Sequence, residues 1–424
     1  MKQIIYELKS QPVIAAISVL GTALAIFLIM VVVMLQEVKT APFAPENNRD
    51  RVLHGHYIHL RGINGNDREM SAGTSLAYLK ELYGTMPGVS DISYVMNDKQ
   101  RTDVQLPGGK PYTADLRGVD DVFFKIFDYK ILSGKPFDHA ASEAGQKVAV
   151  VTEAVARALY GSTDIAGREI LLGQSPYKVV AVIGDVSKIA SNAYGQIFVP
   201  YVALGRQNDV WGHPYTGPFE AYLALEPGID AAQVKEETER RVNSLSSGLS
   251  PDQLSIVYHG QPYTEEEYIT PHGSNTTPDV ESDRKNRYAL YLVLLLIPAI
   301  NLSSMTQSRL RRRVSEIGVR RAFGCTRSRV ITDVITENFI VTLAGGIIGL
   351  LLSVVFAWLY CNVKTPSYGL VSSVSTVSLP MLLNWTTLLY ALAFCFVLNL
   401  LSSGIPAWRA SRINPVEALS GLNR

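Results

Sequence analysis

The sequence predicts a membrane protein in which four transmembrane α-helices carry a large α+β extracytoplasmic domain of two lobes, and three observations support that reading. Four stretches, 10–36, 288–308, 338–363 and 365–408, hold no charged residue, and each can supply the roughly 20 apolar residues that cross a bilayer. Between the first two lies a polar block of about 250 residues, large enough to bury a core of its own. Charge is partitioned too: from Glu37 to Arg287, 25 basic residues face 33 acidic ones, a net of −8, while the remainder has 14 against 5, a net of +9. The near-balance of 39 against 38 therefore hides two environments, and 47% hydrophobic residues exclude a disordered or nucleic-acid-coating chain.

The first element is a segment over 1–12 carrying Lys2 and Lys9, followed by a span over 13–35 with 23 uncharged residues. Secretory signals have apolar cores of roughly 7 to 15 residues before a small-residue cleavage site, so this longer run reads as an uncleaved anchor. The polar block then occupies 36–286, and the second span 288–308. After it come Arg309, Arg311, Arg312, Arg313, Arg320, Arg321, Arg327 and Arg329, which place the segment 309–333 on the cytoplasmic side, because basic residues in short loops resist translocation. The third span is expected over 338–363 and the fourth over 385–407, with Lys364 the single charge between them and Arg409, Arg412 and Arg424 in a cytoplasmic tail over 408–424. Arg284, Lys285 and Arg287 oppose this orientation, but three residues beside a long translocated domain are outweighed by eight. Cys325, Cys361 and Cys395 all lie in or beside the membrane part, so the external block is expected to rest on packing without disulfides.

Inside that block a strand over Arg51–Arg61, an Asn64-Gly65 turn, a helix over Thr74–Tyr83 and a strand over Val89–Val95 follow in order. A helix over Ala231–Leu245 between strands Glu220–Leu225 and Leu254–Tyr258 repeats the order near the far end. The two ends are expected to form one lobe, about 50–118 and 206–262, with a β-rich lobe over 119–205 inserted in it. The insert contains a strand and helix over Lys147–Tyr160 and a strand over Tyr177–Asp185.

Little of this chain is written for chemistry. A phosphate loop needs a Gly-rich run ending in Gly-Lys-Ser/Thr, and Gly109-Lys110 and Gly134-Lys135 lack the upstream glycine and are followed by proline. His54, His56 and His59 form the one histidine cluster; His54 and His56 share a strand face at metal-ligand spacing, but no third ligand follows, so an exposed polar strand is expected and no metal site. Asp120-Asp121 and Glu265-Glu266-Glu267 read as solvated loop charges, and no catalytic triad can be assembled, so no catalytic residue is assigned. In the spans, Asn301, Gln307 and Asn399 are expected to hydrogen-bond to neighbouring helices, and Gly345 with Gly349 to let two backbones approach. The basic run Arg309–Arg321 reads as a short helix beneath the membrane, offering Val314, Ile317 and Val319 either to a protein partner or to a surface of anionic headgroups.

Two segments then bear a resemblance. Glu316-Ile317-Gly318-Val319-Arg320-Arg321-Ala322-Phe323-Gly324 and the terminal run from Pro406 through Arg409, Pro415 and Glu417 to Leu419 resemble the paired signatures of FtsX-like and MacB-like ABC transporter permeases. Gly345-Gly346 with Gly349, Asn301, Gly118-Val119-Asp120, Gly134-Lys135-Pro136-Phe137 and Tyr177–Asp185 extend the resemblance over essentially the whole chain. Its departure from MacB is the lack of an ATPase sequence in these residues, which makes it similar to stand-alone permeases of the LolC and LolE type. The resemblance implies a porter-like and a sabre-like lobe in the periplasm, on a multi-pass protein of a bacterial inner membrane. It implies that Glu316, Ile317, Gly318, Arg320, Arg321, Ala322 and Gly324 couple to a cytoplasmic ABC ATPase, with ATP and Mg bound by that partner and no cofactor by this chain. Pro406, Arg409, Pro415 and Glu417 would be the C-terminal signature, and Asn301, Gly345 and Gly349 helix-packing positions. A second permease, identical or homologous, a periplasmic adaptor or outer-membrane component, and membrane lipid are the other implied partners; the cargo would be a peptide, a small toxic molecule or a lipoprotein. A membrane sensor or a regulator of a cell-envelope hydrolase is the alternative.

Overall fold

The computed structural model describes residues 12–98, 100–249, 253–363 and 385–412. They fall into two compact units: one is Lys39–Asp283, and the other gathers the chain up to Val38, Arg284–Cys361 and the last long helix.

The first helix, α1 (Pro12–Thr40), leads into the external unit. There the chain forms β1 (Val52–Gly55), β2 (Tyr57–Gly62), β3 (Glu69–Gly73), α2 (Leu76–Tyr83), β4 (Val89–Met96), β5 (Gln100–Gln105), β6 (Tyr112–Val119), α3 (Phe123–Ile126) and β7 (Ile131–Gly134). It continues through α4 (His139–Glu143), β8 (Val148–Thr152), α5 (Glu153–Tyr160), β9 (Glu169–Leu172), β10 (Ser175–Ile183), β11 (Ile197–Pro200), β12 (Phe219–Leu225), α6 (Ala231–Gly248), β13 (Leu254–Ile256) and α7 (Glu265–Ile269). Three sheets result, ordered β1-β12-β4, β13-β2-β3 and β7-β10-β8-β11-β6-β5-β9.

The strand expected over Arg51–Arg61 is two strands in two sheets. At His56 the ladder is replaced by a side chain: the amides of His56 and Tyr57 donate to Gln261 Oε1 at 2.7 and 3.0 Å, and Gln261 Nε2 donates to the Tyr57 carbonyl at 2.7 Å. Backbone groups satisfied in this way leave the strand free to bend, so the first half pairs with β12 and the second with β3. The turn after β2 carries its Asn-Gly at positive φ, 56° for Asn64 and 85° for Gly65, as those residue types permit. Ser75 and Asp230 cap α2 and α6 by accepting from the amides of Tyr78 and Ala232.

The largest sheet begins earlier in the chain than the β-rich stretch read over 119–205. Gln100–Gln105 and Tyr112–Val119 pair with each other, β6 pairs in parallel with β11 and β5 with β9, so the seven-stranded sheet takes up residues from 100 rather than from 119. Alternating exposure along β5 conceals this membership in the sequence. Val148–Thr152, buried throughout, runs parallel to β10 at the centre of that sheet, where both faces are covered. Among the described residues, Leu53, Leu79, Tyr83, Phe219, Leu223 and Val242 belong to one apolar cluster of this unit, and Val104, Val151, Val155, Ile165, Val179 and Ile197 to another.

The charged residues read as exposed are largely buried. His54, His56 and His59 are 3%, 6% and 1% exposed, and each meets a carboxylate: Glu265 at 2.9 Å, Glu220 at 2.6 Å and Glu69 at 2.8 Å. Glu265 and Asp120 are buried as well, in place of the solvated loops expected for them. Asp120 accepts from Ser93 Oγ and from the amides of Tyr94 and Phe123 at 2.6, 2.7 and 3.0 Å, and burial outweighs these bonds to push its carboxyl up to about 6. Arg117, 1% exposed, donates to Glu220 Oε1 at 2.7 Å, to Tyr222 at 2.9 Å and to the Asn192 carbonyl.

The other unit contains α8 (Val280–Arg312), α9 (Val314–Ala322), α10 (Arg327–Val363) and α11 (Trp385–Ser411) along with most of α1. Among the described residues, three helical stretches are long and apolar enough to cross a membrane: Ala16–Thr40, Arg327–Tyr360 and Leu388–Ser411. The second expected span, 288–308, lies within α8, which is not among the three. Gly345 and Gly349 back directly onto α1. A Cβ at 345 would stand 2.8 Å from the Val19 carbonyl oxygen and one at 349 only 2.4 Å from that of Ala23, so only hydrogen fits between the backbones. Asn399, buried in α11, donates to the Ile335 carbonyl of α10 at 3.3 Å.

Gly349→Val should force α1 and α10 apart and, by breaking the close approach of their backbones, destabilise the helical unit by about 2 kcal/mol or more. Thermal unfolding in detergent would report it, while Gly404→Ala, with no atom within 4 Å of the added carbon, should behave as wild type. Asp120 holds its proton more tightly folded than unfolded, so its contribution is present below about pH 4 and lost as pH rises through about 6. Relative to Asp120→Asn, the external unit should lose about 3 kcal/mol across that window, measurable by pulse proteolysis of the full chain.

Candidate functional site

The candidate site is the arginine-rich helix α9 with the ends of the three helices around it. Arg313 interrupts the helix between α8 and α9, and Gly324, at φ 91°, ends α9 in the left-handed conformation that glycine tolerates. The amides of Gly324 and Cys325 bond back to the carbonyls of Arg321 and Arg320 at 3.1 and 3.0 Å. Thr326 then opens α10, its Oγ1 accepting from the Arg329 amide at 3.3 Å. Two sharp boundaries thus isolate a helix of 9 residues.

One face of α9 is packed. Ile317 and Gly318 are buried, and Ile317 joins Leu310 of α8, Val330 and Val334 of α10, and Ala407 and Ala410 of α11 in a single apolar cluster. The opposite face is open: Val319 is 42% exposed and Phe323, just past the helix, 89%. An aromatic ring so exposed beside arginines is the composition expected at a docking surface rather than in solvent.

Ion pairs fix the start of the helix, and a bond from Arg321 to a backbone carbonyl fixes its far end. Arg313 bonds Glu316 at 3.1 Å and reaches Glu337 of α10 at 2.9 Å, while Arg320 bonds Glu316 at 2.6 Å. Partial burial raises the Glu316 carboxyl, but the guanidinium groups of Arg313 and Arg320 overcome it and hold the group below its ordinary range. Arg321 donates to the Ser411 carbonyl at the end of α11 at 2.9 Å, a cation on a helix C-terminus.

The expected coupling residues therefore divide. Ile317 and Gly318 form the packed side, Glu316 and Arg320 an ion pair, Arg321 the bond to the end of α11, and Ala322 and Gly324 the exposed exit. Pro406 is buried within α11 and Arg409 exposed near its end; Pro415 and Glu417 lie outside the described residues. Asn301 is in α8, its side chain outside the described set, and Gly345 and Gly349 sit against α1 rather than near α9. Sequence reasoning passed over Glu337 and Phe323. Glu337 had one signal, as the last acid before a charge-free run; Phe323 had none beyond its place in the motif.

Both parts of the chain are similar to known proteins. Residues 15–241, over half of the chain, match the MacB-like periplasmic core domain, and residues 288–415 match the FtsX-like permease C-terminal domain. The uncharacterized ABC transporter permease YknZ of Bacillus subtilis is 22% identical over 72% of this chain and 70% of its own length. The macrolide export ATP-binding/permease protein MacB of Pasteurella multocida is 23% identical over 72% of this chain but 43% of its own length, so the chain spans less than half of that relative. The solved periplasmic region of MacB from Actinobacillus actinomycetemcomitans matches 48% of this chain and 88% of that one, with 14% identity and a TM-score of 0.33. With one domain profile ending before α8 and the other beginning on it, the chain belongs to the MacB/FtsX family of ABC transporter permeases, membrane proteins with a MacB-like periplasmic domain.

Proposed function

We propose that this permease couples ATP hydrolysis by a separate cytoplasmic ABC ATPase to conformational change in its periplasmic domain, with α9 as the coupling helix. The observation that carries the reading is the two-sidedness of α9. Phe323 and Val319 face outward, while Ile317 seals the helix to the ends of α8, α10 and α11 at once. A push on the exposed side is thereby delivered to three long helices together.

Four spans are part of the proposal, α8 supplying the second through 288–308, with α9 on the cytoplasmic face as the arginine bias requires. The protein is placed in a bacterial inner membrane, working as a dimer with itself or a homologue. In this reading ATP and Mg are bound by the ATPase, as no Gly-rich run ending in Gly-Lys-Ser/Thr occurs in these 424 residues. Cargo is a peptide, small toxic molecule or lipoprotein taken from the periplasmic side, with an adaptor or outer-membrane component beyond it. Because no charged residue lines the apolar stretches 288–308 and 338–363, cargo movement by the external domain fits better than a polar path through the helices.

Truncation of an anchoring aromatic at an interface costs about 2 kcal/mol, or roughly 30-fold in affinity. Phe323→Ala should therefore weaken recovery of the ATPase with the tagged permease and lower its stimulated hydrolysis by about that factor, with membrane insertion unchanged. Arg320→Glu should act in the same direction by turning the Glu316 pair into a repulsion. Wild-type coupling in both variants would remove α9 from the pathway.

A further inference from the structure

Far from α9 in the sequence, the external unit collects charge in its interior: Glu46, Arg49, His54, Arg117, Glu220 and Glu265 are all buried. Such groups are costly unless each is paired, and here the pairing runs in an unbroken chain. Arg49 is its first link. Its Nη1 donates to the carbonyls of Lys39 and Ala41, at 2.8 and 3.0 Å, in the last turn of α1 and just beyond it. Its Nε donates to Glu46 Oε2 at 2.6 Å, and the guanidinium lies 4.3 Å over the Phe43 ring.

From Glu46 the chain continues into the sheets. Oε1 accepts from the amides of Asn192 and Ala193 at 3.0 and 2.8 Å, in the connection between β10 and β11. The Asn192 carbonyl accepts from Arg117 of β6, which bonds Glu220 of β12, and the Asn192 side chain donates to Glu265 of α7 at 3.3 Å. Glu265 in turn lies 2.9 Å from His54 of β1. Through Glu46, Asn192 and Arg117, the Arg49 guanidinium therefore links the carbonyls at the end of α1 to strands of two sheets.

We infer that Arg49 is a positioning residue for conformational transmission: it clamps the last turn of α1 to the sheets of the external unit, so that displacement of that turn reaches β6 and β12 instead of dissipating in the segment 41–48. The inference rests on the proposed function for what the displacement serves, but the clamp itself is a property of the external unit. Arginine is the residue the geometry requires, because a planar fork can serve two carbonyls and a carboxylate at once, whereas a lysine ammonium is a point donor.

The test uses the full chain co-purified with its ATPase, the three native cysteines replaced, and spin labels at Thr40→Cys and Lys178→Cys, both in the external unit. Arg49→Lys keeps the charge and tests the fork; Arg101→Lys, at a side chain 67% exposed, is the control. The distance distribution should be narrow in wild type and the control and at least twofold broader in Arg49→Lys. Amide exchange at Asn192 and Ala193 should rise about tenfold in that variant, with β8 and β12 protected as before and basal ATP hydrolysis within twofold of wild type. An unchanged distribution overturns the inference, and so does a general loss of protection in β8 and β12, which would make Arg49 merely structural. If no ATPase accompanies the wild-type chain, the proposed function fails, while the distances without nucleotide still decide the role of Arg49.

Discussion

What the membrane unit depends on is one small apolar joint. Ile317 packs with Leu310, Val330, Val334, Ala407 and Ala410, so a helix of 9 residues is held by the ends of three long ones. Nothing in helix propensity would keep so short a segment folded alone, since isolated helices below about 12 to 15 residues are marginal in water. Its order comes from that packing and from Arg313, which spans from Glu316 to Glu337 and ties the start of α9 to α10. A segment stabilised by its neighbours is also one through which its neighbours can be moved.

The external unit solves a different problem, that of keeping charge inside a core. Replacing a buried ion pair with apolar residues is often neutral or better for stability, so Arg117 with Glu220 is not there for strength alone. These groups lie where strands of different sheets meet: Arg117 is on β6 of the large sheet, while Glu220 and Tyr222 are on β12 of a small one. Directional bonds at such a junction admit one arrangement, where apolar surfaces would tolerate several. His56 at 2.6 Å from Glu220, and Arg117 beside it, hold that carboxyl below its ordinary range against the desolvation that would raise it.

The sequence was most legible where a period or a breaker acts locally. Charge-free runs marked the long helices, Asn64-Gly65 the turn, and Gly324 the end of α9, because each depends on residues close in the chain. It was least legible where a distant partner decides. The break at His56 is made by Gln261, the burial of Glu265 by Arg49 and His54, and the membership of β5 in the large sheet by β6 and β9. At the candidate site the motif named the helix, but which of its faces is open follows from Leu310, Val330 and Ala407, residues that no local pattern connects.

The central claim, that the open face of α9 is where an ATPase docks, is tested most directly by placing a photo-crosslinking residue at Val319 or Phe323 in native membranes. The account predicts one dominant protein adduct, an ATP-binding subunit identified by mass spectrometry, and none from a residue placed at the exposed Tyr112 of the external unit. Adducts to lipid alone at both α9 positions would contradict it and make the helix a membrane-surface anchor.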